Sequence, residues 1–201
     1  MRKILYDWGM DNRGTIIRDW ALLAVATVAL LSTLGLVRDI VSFLDGAGYE
    51  WVLRHGIVAV LAAVGLTALI YLVGIAKVSH VKTYIYVLGL AVVYVLILWK
   101  LSRLPVEQVH LLEYGLIGIL SHRAVRHHTP EPGCTLLAVL VTLNIGLLDE
   151  LVQGILPSRF YDTKDVLTNA AGGLLGVLMA TVLKNAPRTT AQKKDIPSGM
   201  E

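Results

Sequence analysis

Residues 134–183 read CTLLAVLVTLNIGLLDELVQGILPSRFYDTKDVLTNAAGGLLGVLMATVL, and this stretch decides the fold. Two predominantly apolar runs, 134–156 and 165–183, each approach the roughly 20 residues a helix needs to cross a hydrocarbon core. Between and inside them lie Asp149, Glu150, Gln153, Arg159, Asp162, Asp165 and Asn169. Two membrane-length helices joined through a polar stretch imply a chain folded by the bilayer, with its polar groups turned toward one another rather than toward lipid.

Outward from this stretch, four more apolar runs follow the same pattern, at about 20–37, 56–76, 83–99 and 106–122. The whole chain of 201 residues has a mean hydropathy of +0.65 and 16% charged residues, against about 25% in soluble domains. The expected fold is therefore an all-α integral membrane protein, a bundle of about six transmembrane helices. Three spans fall in an amino-terminal membrane region, residues 1–104, and three in residues 105–183. Residues 184–201, basic and rich in Pro, Ser and Thr without apolar periodicity, read as a disordered cytoplasmic tail. The start of the chain is basic ahead of an apolar run, as in a secretory signal, but shows no small-residue cleavage pattern, so the first run reads as a retained span.

Charge sets the orientation. With six spans, twelve of the 18 Lys and Arg residues fall on the side of both termini and six on the other. The positive-inside rule then places both termini in the cytoplasm, and the polar stretch 149–169 at the outer interface. The cations are spread over the loops instead of being gathered in one patch, which argues against nucleic acid as a partner. The single cysteine, Cys134, permits no intramolecular disulfide and no cysteine cluster, and reads as a small apolar residue at a helix end. HRAVRHH, 122–128, lies on the cytoplasmic side, where contact with lipid headgroups is the expectation; its spacing supports no specific metal site. No cofactor is expected, and no two mid-span histidines can be paired for haem.

A helix starting near Pro105 carries Glu113 about eight residues in, on the order of 12 Å below its start. A carboxylate at that depth needs a partner or a wet cavity. On the fifth span, Asp149, Glu150 and Gln153 share one face at 100° per residue. On the sixth, Asp165 and Asn169 share the side of Gly172, Gly173 and Gly176, and a small-xxx-small pattern there lets helices approach closely. Arg159 is the cation best placed to bridge these acids. Asp162 also fits an N-cap, with Asp165 at the third helical position.

The segments HLLEYGLIG, from His110, and DELVQGILPSRFYDTKDVLTNAAGGLLG, from Asp149, resemble the VanZ-like membrane proteins, over residues 105–183. The resemblance implies a multi-span bacterial inner-membrane protein of the cell envelope, from a family whose founding member is linked to resistance to a lipoglycopeptide antibiotic. It also implies a shared polar set of Glu113, Tyr114, Asp149, Glu150, Gln153, Arg159, Asp165 and Asn169. This chain departs from the family in Phe160 and Tyr161, where smaller residues are usual. No reaction follows from the resemblance. Three functions stay open: an outward pocket for the headgroup of an envelope lipid or precursor, an accessory subunit docked to other membrane proteins, or an interfacial enzyme using paired carboxylates. Membrane lipids are the expected partners in the first, other membrane subunits in the second.

Overall fold

A computed structural model of the chain describes residues 12–75, 77, 78, 80–100, 105–155 and 163–186. Among them are six α-helices and no strand: α1 (Asn12–Gly46), α2 (Glu50–Ile70, continued by the π-turn Tyr71–Ile75), α3 (Val81–Lys100), α4 (Pro105–Val125), α5 (Gly133–Ile155) and α6 (Thr163–Lys184). Every apolar run read from the sequence lies on one of these helices. Four helices are long and apolar enough to cross a membrane: α1 over Arg13–Thr33, then α3, α5 and α6. α2 contributes a shorter apolar stretch with its π-turn, Ala63–Gly74. α4 is interrupted by Glu107, Glu113 and Arg123. Length and composition thus support four spans rather than the full six.

Successive helices alternate in direction. α1 ends where Gly48, at φ +76°, lets the Tyr49 amide turn back to the Leu44 carbonyl at 2.8 Å, a left-handed closure that favours glycine. The start of α1, the Leu72–Tyr84 turn, the α4–α5 loop and the end of α6 gather at one end of the bundle. There Asp19 meets Arg123, Lys184 meets Glu131, and Leu72 and Val78 pack with Leu183 and Ala186. We call this the basic end, and the opposite one, holding Asp149 and Glu150, the acidic end.

α4 is central. Its Tyr114, Ile117 and Ala124 are buried against Leu23 and Leu30 of α1, with Val141 and Ile145 of α5 closing the cluster. Against α6 it packs closely, through glycine on both sides. A Cβ on Gly172 would lie 2.6 Å from the Leu111 carbonyl oxygen, and one on Gly176 would collide with the Gly115 carbonyl. The glycine face of α6 therefore points into the bundle, as the small-xxx-small pattern predicts. This close approach brings α5 and α6 polar residues against α4.

Candidate functional site

The acidic end is built from three helices. α5 turns Asp149, Glu150 and Gln153 inward, each at most 1% exposed, because 3.6 residues per turn keep them on one face while Leu147, Leu148 and Leu151 face outward. α4 supplies His110 and Tyr114, and α6 supplies Thr168 and Asn169, all buried. The Tyr114 hydroxyl donates to Asp149 Oδ2 at 2.9 Å, and the Asn169 amide donates to Glu150 Oε1 at 3.4 Å. Adjacent buried carboxylates are costly, and hydrogen bonds to charged acceptors contribute about 1.5–3 kcal/mol each toward holding them.

Those bonds do not exhaust the cluster. Asp149 Oδ1, Asn169 Oδ1 and both ring nitrogens of His110 are buried without a hydrogen-bond partner among the described residues. A buried polar atom left in that state costs about 1–3 kcal/mol. His110 Nδ1 does approach Glu113 Oε2, at 3.3 Å.

Glu113 is not enclosed with the others. Its side chain is 29% exposed and lines a groove of about 210 Å³ between α1 and α4, whose other walls are Ala26, Ala29, Leu30, Thr33, Leu116 and Ile117. The groove is apolar except at Thr33 and Glu113. The His110–Glu113 contact joins it to the buried acids, so the carboxylate deep in α4 has both a partner and an opening.

The structure thus brings together Tyr114, Asp149, Glu150, Gln153 and Asn169, with Glu113 adjoining through His110. Asp165 lies half-buried in the first turn of α6. Arg159 and Asp162, with Phe160 and Tyr161, lie outside the described residues, as does the expected tail beyond residue 186.

The basic end holds a second polar cluster. Asp19 of α1 is fully buried and accepts from Arg123 at 2.8 Å, Arg126 at 3.3 Å and His127 at 3.0 Å. The Trp20 indole donates to His128 at 3.0 Å. HRAVRHH, expected to meet lipid headgroups, also has partners within the bundle: Arg123, Arg126 and His127 reach Asp19 at the start of α1, while Arg126 and His128 stay exposed. Beside them, His122 Nε2 lies 2.9 Å from Glu131 Oε1 and Lys184 Nζ 3.5 Å from the same oxygen, while Thr135 donates its amide and hydroxyl to Glu131 Oε2. Burial opposes ionisation of Glu131, but the Thr135 and His122 hydrogen bonds outweigh it and hold its carboxyl down at about 2.

Asp19 was the residue that sequence reasoning missed. The signal was present: an acid immediately ahead of the first apolar run, and Arg123, Arg126 and His127 at i, i+3 and i+4.

A family model described as VanZ/LLP1 matches residues 20–184. The match takes in most of α1 and all of α2 and α3, where the sequence alone offered no resemblance, as well as the 105–183 region. No curated protein and no solved structure matches.

Proposed function

The chain belongs to the VanZ/LLP1 family, and from that membership we propose that it is a six-span protein of the bacterial cytoplasmic membrane whose outward acidic end binds the headgroup of an envelope lipid or lipid-linked precursor. The alternation of all six helices supports six spans, and the excess of Lys and Arg on the side of the basic end supports both termini being inside. The observation that carries the headgroup reading is Asp149: a fully buried carboxylate with one oxygen held by Tyr114 and the other without a hydrogen-bond donor among the described residues. Together with Asn169 Oδ1, it offers acceptors. The matching ligand is rich in donors, an ammonium group or sugar hydroxyls. The groove along α1 and α4, apolar apart from Thr33 and Glu113, is shaped to take part of an acyl chain beside it.

The test is purification of the full chain from membranes in mild detergent, with native mass spectrometry. Wild type should retain a lipid with an amine or sugar headgroup, and Asp149→Asn should lose it while keeping its elution volume. Equal retention by both proteins, or no retained lipid, would overturn the reading.

A second reading has its own observation. α2 touches α1 and α4 only over short stretches and leaves most of its described side chains exposed, a surface suited to another membrane subunit. Co-purifying polypeptides in fixed ratio, with no lipid, would favour it.

A further inference from the structure

At the basic end, away from the proposed headgroup site, three side chains of different metal-binding chemistry converge. His122 comes from the last turn of α4, Glu131 from the α4–α5 loop and Cys134 from the first turn of α5. One donor atom from each lies within 4.8 Å of the other two. We propose that His122, Glu131 and Cys134 form a zinc site that clasps α4 to α5 at this end of the bundle.

The donor set is the argument from chemistry. Zinc takes imidazole nitrogen, thiolate and carboxylate together, with bonds of about 2.0–2.3 Å in a tetrahedron, which puts donors about 3.3–3.5 Å apart. His122 Nε2 and Glu131 Oε1, now 2.9 Å apart, need to part by about half an ångström to reach that spacing. The Cys134 sulfur, at most 4.8 Å from a ligating atom of each, needs to close by up to about 1.3 Å, within reach of a side-chain rotation. Three protein ligands leave the fourth position to water. Magnesium and calcium are disfavoured, since they take oxygen ligands.

The surroundings argue the same way. Ligating carboxylates are held in place by further hydrogen bonds, and Glu131 is: Thr135 grips Oε2 through its amide at 3.1 Å and its hydroxyl at 2.7 Å, and that hydroxyl is itself 2.9 Å from Thr181 of α6. Oε1 is thereby aimed at His122. The His122 and Cys134 side chains are buried, so a bound ion is shielded from water on two sides. The group that must yield is the Lys184 ammonium, 3.5 Å from Oε1 on a side chain that is 36% exposed and free to turn into solvent. On binding, the Cys134 thiol gives up its proton to solvent, the His122 ring binds through a neutral Nε2, and Glu131 is already anionic.

The same contacts without metal would make an ordinary ion-paired helix cap, and the experiment separates the two. The untagged full chain in detergent is stripped with a chelator and titrated with cobalt(II) alone. One equivalent should produce a thiolate-to-cobalt charge-transfer band that zinc(II) then abolishes. Cys134 is the single cysteine of the chain, so the band reports this site in wild type without recourse to a variant. Cys134→Ser should lose the band. Thr135→Val, which takes away the hydroxyl behind Glu131 Oε2 and leaves only the backbone amide there, should weaken binding by about 10-fold, the low end of the scale for losing a partner behind a ligand. A folded wild type that gives no band overturns the proposal and leaves the cap. So does cobalt binding of equal affinity in Cys134→Ser, which would assign the metal to exposed histidines such as His128.

Discussion

Replacing Gly176 by Ala should weaken the bundle more than the same change at any lipid-facing glycine. A methyl at 176 collides with the Gly115 carbonyl oxygen and lies 2.8 Å from its carbon and 3.0 Å from its Cα. All three atoms are backbone, so no rotamer relieves the contact. α4 and α6 must separate by about 1 Å, enough to forfeit a quarter to a half of the dispersion energy along the seam, and overpacking of this kind costs about 1–3 kcal/mol. Gly89 on α3 is the control, because a methyl there meets nothing within 4 Å. The gain in helix propensity, about 0.5–1 kcal/mol, is common to both variants and cancels in the comparison. At about 2–4 °C per kcal/mol for a chain of this size, Gly176→Ala should melt about 2–12 °C below Gly89→Ala. Gly173→Ala should fall between them, since its methyl meets the side-chain methyl of Thr142 rather than backbone. The assay is thermal unfolding in one detergent at one scan rate. A Gly176→Ala protein that melts with or above Gly89→Ala would refute the close α4–α6 approach.

Asp19→Ala should cost about 1.5–3 kcal/mol, because it removes the charged acceptor shared by His127 and two partly exposed arginines. Arg123→Ala should cost only about 1 kcal/mol, its side chain being 37% exposed and its carboxylate partner still held by two other groups; equal losses in thermal stability would show that Asp19 is not the hub. A reporter inserted after His80 should face the same side as one inserted after Thr129, since the proposed crossings of α3 and α4 return the chain to the basic end. Opposite sides would mean that α4, whose apolar sequence is interrupted by charged residues, does not cross the membrane between the two sites.

The fold was legible wherever apolar runs approached membrane length, and the acidic end wherever an acid interrupted such a run on a helical face already fixed by leucines. Asp149, Glu150 and Gln153 were found that way, and Gly172 and Gly176 by their spacing. The basic end was not legible, because its logic is long-range: Asp19 and Arg123 lie 104 residues apart. Local spacing in HRAVRHH says only that the cations share a face. The metal-ligand geometry was hidden for a related reason, since Glu131 sits in a loop whose path no periodicity reveals. Glu113 was read as a residue needing a partner, and His110 one turn before it supplies one; its opening onto the α1–α4 groove depends on the antiparallel placement of α1, which the sequence does not specify.

That separation of Asp19 from its partners also has a meaning in time. During synthesis at about 5–20 residues per second, the 104 residues between Asp19 and Arg123 take about 5–20 s to emerge. For that interval the first helix carries a carboxylate near its start and none of the α4 cations that will hold it. Until the fourth helix arrives, the acid is stable only where water can reach it. A ribosome stalled anywhere before Arg123 leaves behind a fragment marked by that uncompensated charge, distinguishable by its chemistry alone from a completed chain.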